Sequence, residues 1–582
     1  MNSQYPIYTL QNECVDCYKC VRQCSMKAIK IENGHASVIP EKCIACGHCV
    51  LVCPSEAKKI RNDINKARAV LTAKKRVFVS LAPSWAGFWN CSVEKLITAI
   101  KKLGFEGVSE TALGAQEVSI EVTKILSTRD NKIHISSACP AIVDYVRLYM
   151  PEYTKYITPV GSPAMTHAKL LKKRYGDDIG VVFVGPCIAK KNEADRNPEL
   201  IDVSLTFHEL SQWFALDNIE PENVEVTEEV KFVPKKAYEG AYYPIEGGMN
   251  KTIRLSGCAK DIQLVSVSSI PAFKDSLNNL TPENLDRTIF IEALACPGGC
   301  ANGPCKDASK PGVITMSDIL RTVKLREDIP TEPEVVVEKE YRERPQNTRV
   351  YSTEEIAEAM ARIGKHGAED ELNCGGCGYD TCRQLAEALL NGDAEPSMCV
   401  SYMRKLAIRK ASAMLRSMPS AIVMADQDLN ILETNEAFVR MFAPELLELF
   451  TSRPEGLAGG ALDRVVPFID LFKRTLKSGK DIHKERYPVG KNLYDIAVFE
   501  IERNKIVGAV ITDVTQTEMK REQIAKKAHE VIEKNIATVQ NIACLLGEHM
   551  VDTELLLSQI AQGYEDDGSE TEDSDGTESG EK

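Results

Sequence analysis

The strongest constraint on this chain is a group of cysteines near its start, arranged as two copies of one spacing. The first copy is Cys14, Cys17, Cys20 and Cys24; the second is Cys43, Cys46, Cys49 and Cys53, followed by Pro54. Both read C-x2-C-x2-C-x3-C. Three cysteines at steps of three wrap a loop around one cubic cluster, while the fourth lies too far along and ligates the neighbouring cluster. The spacing therefore predicts one 4Fe-4S cluster on Cys14, Cys17, Cys20 and Cys53, and a second on Cys24, Cys43, Cys46 and Cys49. Both belong to a ferredoxin-like module over residues 1–62. Structural zinc usually joins two ligand pairs across a longer loop, which this duplicated pattern does not offer.

The chain has 582 residues, more than a single hydrophobic core can serve, so about four or five domains are expected. Its 20 cysteines stand mostly in tight groups, which in a reducing compartment points to metal ligands rather than disulfides. The opening residues leave no room for a charged region followed by an apolar one before Cys14, so a cytoplasmic location is expected. No run approaches the roughly 18 apolar residues of a membrane-spanning helix. The net charge is -13, but Glu565 to Lys582 hold nine acids against one base, or -8, leaving -5 for the body. Without a basic stripe to neutralise phosphates, no nucleic-acid partner is expected.

From residue 75 to 325 apolar segments such as Val77 to Ala82 and Ile179 to Gly185 alternate with helical patterns, which reads as α/β. Three short stretches stand out: Ser136-Ser137-Ala138-Cys139-Pro140, then Gly185-Pro186-Cys187-Ile188-Ala189-Lys190-Lys191-Asn192-Glu193, and Glu292-Ala293-Leu294-Ala295-Cys296-Pro297-Gly298-Gly299-Cys300. Their four cysteines can surround one cluster. In order, these stretches resemble the three signature motifs of the FeFe hydrogenase catalytic domain. The resemblance implies that Cys139, Cys187, Cys296 and Cys300 hold a 4Fe-4S cluster. It also implies that Cys300 bridges to a diiron subcluster bearing CO, CN and a bridging dithiolate, the composite being the H-cluster. Ala82, Pro83 and Ser84 match the positions that meet one cyanide. Lys190 matches the lysine whose ammonium donates a charge-assisted hydrogen bond to another.

Departures from the family pattern bear on rate. The cysteine that normally precedes the first cluster ligand and passes protons to the bridging amine is here Ala138, which has no proton to give. The glutamates that usually continue the path fall at Val122 and Ile125, with Glu117 and Glu121 close by, and methionines near the diiron unit appear as Gly185 and Leu294. A positioned acid or base contributes roughly 10²- to 10⁴-fold in rate, or about 3 to 5 kcal/mol of barrier, so turnover is expected to be slow. Cys91, Cys258 and Cys305 lack cluster spacing and read as structural.

The stretch Asp328 to Pro345, within residues 326–350, reads as an exposed linker. Residues 351–410 then carry Cys374, Cys377, Cys382 and Cys399 with spacing C-x2-C-x4-C-x16-C. This set resembles a small 4Fe-4S domain also found in corrinoid and carbon monoxide dehydrogenase systems; zinc stays open as its alternative, because two ligand pairs can be imagined across the loop. Residues 411–516 resemble a PAS domain: Ser420 to Asp426, Leu429 to Asn435 and the helical Glu436 to Phe442 open it, and Tyr494 to Ile501 with Ile506 to Asp513 close it. Lacking cysteine, it cannot form a cysteinyl-flavin adduct. A lone histidine in a polar stretch, His483, reads as solvated rather than as a haem ligand.

Within 517–563, Ala528, Ile532, Ile536, Val539, Ala543 and Leu546 recur at steps of four and three, an amphipathic helix suited to dimeric output. His529-Glu530 resembles a kinase phosphoacceptor, but no ATP-binding domain accompanies it. The tail 564–582 is expected to be disordered. The fold class is thus multidomain α/β and α+β: ferredoxin-like, FeFe hydrogenase, small 4Fe-4S and PAS domains followed by a helix. The expected function is a low-activity hydrogenase, an oxidoreductase used for hydrogen or redox sensing. Expected partners are hydrogen, a redox protein such as ferredoxin, a signalling effector in trans, and a second copy through the PAS domain and helix. The alternatives are a non-catalytic iron-sulfur sensor lacking the diiron unit and a slow ferredoxin-linked hydrogenase.

Overall fold

The structure, a computed structural model, describes residues 5–128, 130–226, 229–346, 349–453 and 457–564. The chain divides into two units, Met1–Arg404 and Lys405–Lys582.

The first unit begins with the ferredoxin-like module. Strand Ile7–Thr9 pairs antiparallel with Lys58–Ile60, and Ile29–Glu32 forms a hairpin with His35–Val38. Each cysteine loop runs into a short helix, Lys19–Arg22 or His48–Val52, whose preceding residue has a left-handed backbone, Tyr18 at φ 53° and Gly47 at φ 81°.

Two parallel sheets follow. One has the spatial order Gly107–Glu110, Val77–Leu81, Gly180–Gly185, Val203–Thr206; the other runs Gln263–Ser268, Ile289–Leu294, Ile133–Ile135. The four strands of the first sheet are buried along their whole length, which is why they read as apolar runs instead of alternating patterns. The stretches that resemble the hydrogenase motifs sit at the carboxyl ends of parallel strands in these two sheets. Ala82 follows Val77–Leu81, Ser136 follows Ile133–Ile135, Pro186 follows Gly180–Gly185, and Ala295 follows Ile289–Leu294. Open parallel sheets place their ligand crevices at these ends.

Close helix packing frames the crevice. A Cβ added to Gly114, on helix Ala112–Thr128, would sit 2.2 Å from the Pro163 carbonyl oxygen of helix Pro163–Tyr175. Beneath them His167 is fully buried between two hydroxyls, with Nδ1 2.7 Å from Ser80 Oγ and Nε2 2.8 Å from Ser109 Oγ. Lys191 is also buried, donating to Asp63 Oδ2 at 2.9 Å, Glu209 Oε1 at 2.8 Å and the Ser204 carbonyl at 3.0 Å. Because a buried charge that loses its partner costs several kcal/mol, this network fastens the segment after the ferredoxin-like module to the hydrogenase-type domain.

The stretch Asp328 to Pro345 is not the exposed linker its composition suggests. The Gly161 amide donates to the Val337 carbonyl, the Lys339 amide to the Pro159 carbonyl, the Arg344 amide to the Arg147 carbonyl and Tyr341 Oη to the Val160 carbonyl, while Val335 is buried. It is a strap: its Val335-Val336-Val337 run supplies the apolar contact, while Glu334 pairs with Arg174 at 2.9 Å and Lys339 Nζ donates to Asn197 Oδ1 at 2.8 Å. Residues 352–404 add the helices Thr353–Arg362 and Cys382–Leu390, each opened by a reciprocal capping box, on Ser352 with Glu355 and on Thr381 with Gln384.

The second unit contains a five-stranded antiparallel sheet of order Ile431–Thr434, Ala421–Asp426, Ile506–Asp513, Asn492–Glu502, Ile482–Val489. The final helix, Thr515–Tyr564, extends well beyond the periodic stretch ending at Leu546 and leaves Ile532, Ile536, Val539, Leu546, Met550, Leu557 and Ile560 exposed. No helix among the described residues is long and apolar enough to cross a membrane. The acidic segment 565–582 lies outside the described residues.

Burial lowers the His167 pKa to about 3, so the folded protein keeps this imidazole neutral while the unfolded chain takes up a proton near 6.5. Its stabilising contribution is complete above pH 6.5 and is lost as pH falls toward 3. His167→Gln retains one donor and one acceptor but no titration. Between pH 7 and pH 5 the unmodified protein should lose about 2 kcal/mol more stability than this variant, as read by anaerobic denaturant titrations.

Candidate metal centres

The thiols of the two ferredoxin-type sets lie close enough to act on one another. The Cys20 thiol is pushed up by burial and by the neighbouring Cys53, Cys14 and Cys17. Burial raises Cys43 to about 11 and Cys46 to about 12, with Cys24 adding to both. Cys49 is raised well above its ordinary value by burial and then by Cys46, Cys43 and Cys24. Cys53 is the exception: burial raises its thiol, but the Lys58 amide, the Ser55 hydroxyl and the Ala57 amide outweigh that and bring it down.

Between the two sets lies a residue that the sequence reading missed. Lys58 is 2 % exposed, donates to Thr9 Oγ1 at 2.6 Å and to the Ala36 carbonyl at 3.2 Å, and lowers Cys20 of one set together with Cys43 and Cys49 of the other. As half of a Lys58-Lys59 pair it reads as solvated; only the pairing of Lys58–Ile60 with Ile7–Thr9 turns it inward.

The hydrogenase-type motifs converge on adjoining cavities. One is lined by Cys139, Cys187, Cys296 and Cys300, with Cys46 of the ferredoxin-like module on its wall. Burial raises Cys187 to about 11, with Cys139 adding to it; it raises Cys296 and Cys300 further, each reinforced by the other thiols. Four thiols facing one apolar cavity cannot ionise together unless a cationic core compensates them. The donor set therefore suits an iron-sulfur cluster.

The second cavity, about 100 Å³, is bounded by Ala82, Pro83, Ser84, Ala138, Lys190 and Cys300. Ser84 Oγ is buried there with no hydrogen-bond partner among the described residues, so the pocket holds a polar group that a ligand would satisfy. Lys190 Nζ donates to Glu193 Oε2 at 2.6 Å and to Ser162 Oγ at 2.9 Å. With a free thiol, a hydroxyl and an ammonium converging, the residues fit a polar metal group.

Ala138 lines this cavity and belongs to one apolar cluster with Val122, Ile125, Val118 and Met249, which lie behind the cavity's lining. Glu117 instead accepts the Glu334 amide, and Glu121 pairs with Lys124 at 3.6 Å; neither borders the cavity. A Cβ on Gly185 would lie 2.7 Å from the Phe183 ring, so that ring occupies the room a longer side chain would take, and Leu294 lines the wall beside it. One further polar element escaped the sequence reading: Tyr243 borders the cavity, with Oη 2.8 Å from Ser119 Oγ, itself 2.7 Å from Thr252 Oγ1. Hydroxyls scattered over more than 100 residues leave no local signal.

In the third set, Cys377 is pushed up by burial and then by Cys399 and Cys374, while Cys382 and Cys399 are buried and Cys374 is exposed. Cys258 and Cys305 are buried and Cys91 is half-buried. Cys544, which the spacing argument passed over, lies exposed on the final helix.

Residues 75–304 match the family model described as iron only hydrogenase large subunit, C-terminal domain; residues 6–54 match a 4Fe-4S dicluster domain and residues 370–401 a putative Fe-S cluster. The chain is 25% identical over 316 residues to iron hydrogenase 1 of Clostridium pasteurianum, covering 44% of this chain and 55% of that protein. It is 24% identical over 289 residues to the probable cytosolic Fe-S cluster assembly factor oxy-4 of Caenorhabditis elegans, covering 41% and 63%. The matched segments thus span less than two thirds of these relatives. Among solved structures, an FeFe-hydrogenase of Chlamydomonas reinhardtii aligns at 17% identity with a TM-score of 0.38, covering 48% of this chain and 99% of that one.

Anaerobically reconstituted protein should hold about 16 irons, four for each cubic cluster, and no stoichiometric zinc. Cys399→Ser should lower that by about four. Metal analysis by mass spectrometry checks both, and zinc in place of iron at the third set would refute its assignment.

Proposed function

We propose that this hydrogenase-like iron-sulfur protein is a sensory FeFe hydrogenase, one that handles hydrogen slowly and reports its redox state through a PAS module. The observation that carries this reading is the contrast within one cavity: polar groups suited to a metal ligand at one end, and an apolar wall where a proton relay would stand.

When bound, a diiron unit with carbonyl and cyanide ligands supplies the metal chemistry that splits or forms hydrogen. Cys300 would hold it, the free hydroxyl of Ser84 and the adjacent Pro83 would meet one of its polar ligands, and Lys190 would donate a charge-assisted hydrogen bond to another. To do so, Lys190 must share its ammonium with Glu193 and Ser162, and its three donors allow this. Ala138 cannot carry a proton, and neither can Val122 or Ile125 of the same apolar cluster. Slow exchange suits a site that equilibrates with its gas and holds the result, which is what reporting requires.

The second unit supports the sensory half of the proposal. Against its antiparallel sheet pack Phe438, Phe468 and Phe472, the last two stacked, with Phe442 tilted or edge-on to Phe438, Phe468 and Tyr494, so these rings fill its interior. His483 is exposed on strand Ile482–Val489, away from that interior. This favours a PAS module that transmits or dimerises over one that binds haem. The exposed apolar stripe of helix Thr515–Tyr564 suits a parallel pairing with a second copy, and the signal would pass to an effector in trans in the cytoplasm.

A second reading, an iron-sulfur redox sensor without the diiron unit, is favoured by the Lys190–Glu193 pair, which already satisfies the ammonium. Hydrogen uptake separates the two. With an artificial electron acceptor, matured protein should oxidise hydrogen slowly, whereas the second reading predicts none. Ala138→Cys should raise the rate by less than the full 10²- to 10⁴-fold of a well-placed proton carrier. Adding Val122→Glu should give more than the product of the two single gains, because groups in one relay act together. Fast oxidation by the unmodified protein, or no response to either change, would remove the apolar wall as the brake.

A further inference from the structure

The third cysteine set does not stand apart from the ferredoxin-like module. Its buried members Cys377, Cys382 and Cys399 share one apolar cluster with Cys20, Val21 and Ile31. Gly378, at φ 97°, lies so close to the helix that carries Cys20 that an added Cβ would be 2.9 Å from Val21 Cγ1 and 3.1 Å from the Arg22 amide nitrogen. Two backbone donors close the seam: the Ile31 amide reaches the Asp393 carbonyl at 3.1 Å, and the Gly34 amide reaches Glu395 Oε1 at 3.4 Å. Lys42 pairs with the Asp393 carboxylate across the same seam. At the module's other end, Cys46 borders the four-cysteine cavity of the hydrogenase-type domain. The ferredoxin-like module therefore lies between the hydrogenase-type cavity and the third set, whose apolar cluster includes the buried Cys20 and packs against Cys14 of the Cys20 set and Cys24 and Cys49 of the other.

One cation marks the seam. Lys27 Nζ donates to the Gly378 carbonyl, inside the loop between Cys377 and Cys382, and lies 5.8 Å from the centre of the Tyr379 ring. Reducing a cluster adds one negative charge, and a fixed cation at short range stabilises the more negative state.

We propose that the third site is in direct one-electron exchange with the ferredoxin-like module, through the Cys14, Cys17, Cys20 and Cys53 site, and that Lys27 makes the third cluster more easily reduced than it would be without that cation. In the exchange one electron leaves one site and enters the other; no bond forms or breaks, and the electron originates from hydrogen or from a low-potential one-electron donor. Cys374 is exposed, so the third site reaches the surface. This deepens the proposed function, resting on its iron-sulfur assignment but not on the diiron unit.

The test uses full-length protein with its cubic clusters reconstituted and no diiron unit, reduced by dithionite and examined by low-temperature electron paramagnetic resonance. Two reduced clusters in contact couple magnetically. The signal of the third cluster, taken as the difference between the unmodified protein and Cys374→Ala/Cys382→Ala, should therefore be broadened, and the third-cluster signal should sharpen in Cys14→Ala/Cys17→Ala, which lacks its neighbour. Lys27→Gln, which keeps every ligand, should leave iron content and coupling intact while moving the midpoint of the third cluster to more negative potential. A third-cluster signal that is the same with and without the Cys14, Cys17, Cys20 and Cys53 site, or a midpoint unmoved in Lys27→Gln, overturns the inference. Coupled spectra in a protein that never oxidises hydrogen would sink the proposed function and leave this inference standing.

Discussion

Crowded thiols in an apolar interior are the constraint on which this molecule depends. Cys187, Cys296 and Cys300 are each pushed upward by burial and then by one another or by Cys139, as are Cys43, Cys46 and Cys49 in their own set. Without a cation among them these groups stay protonated and weakly bonded; with iron they become ligands, and the metal's binding energy becomes folding energy. The protein supplies little compensating charge of its own. Lys58 between the two ferredoxin-type sets and Lys190 beside Cys300 are the exceptions, and both are tied by short hydrogen bonds to oxygen acceptors.

The remainder of the first unit serves to bring these thiols together. Its parallel strands end where the motifs begin, so four chain segments distant in sequence deliver Ala82, Cys139, Cys187 and Cys296 to one crevice. The Lys191 network and the strap through Val337 hold the surrounding layers in place. The same architecture decides what the crevice lacks. Where Ala138 meets Val122 and Met249 the interior is packed with hydrocarbon, and a wall of that kind stabilises the fold while closing a route for protons.

How much of this could be read in advance depended on how local the signal was. Cysteine spacing is local and marks the two ferredoxin-type groupings, whereas Cys139, Cys187, Cys296 and Cys300 lie far apart in the chain and were grouped by the resemblance of their three stretches to a known family. Strand positions followed the apolar runs, because strands buried on both faces leave an unbroken signature. Lys58 was invisible because its burial is decided by the partner strand. The strap at 328–345 was misread because its charged residues outnumber the three valines that anchor it. The Tyr243, Ser119 and Thr252 hydroxyls meet only through tertiary packing. The final helix, expected over 517–563, runs from Thr515 to Tyr564.

Infrared spectroscopy of anaerobically matured full-length protein addresses the centre most directly, because carbonyl and cyanide stretches fall where protein is transparent. A hydrogenase-type centre predicts these bands in the unmodified protein and their loss in Cys300→Ser, with iron at the ferredoxin-type sets retained. Matured protein with all its cubic clusters and no such bands would contradict it, and would leave an iron-sulfur sensor whose second cavity holds no diiron unit.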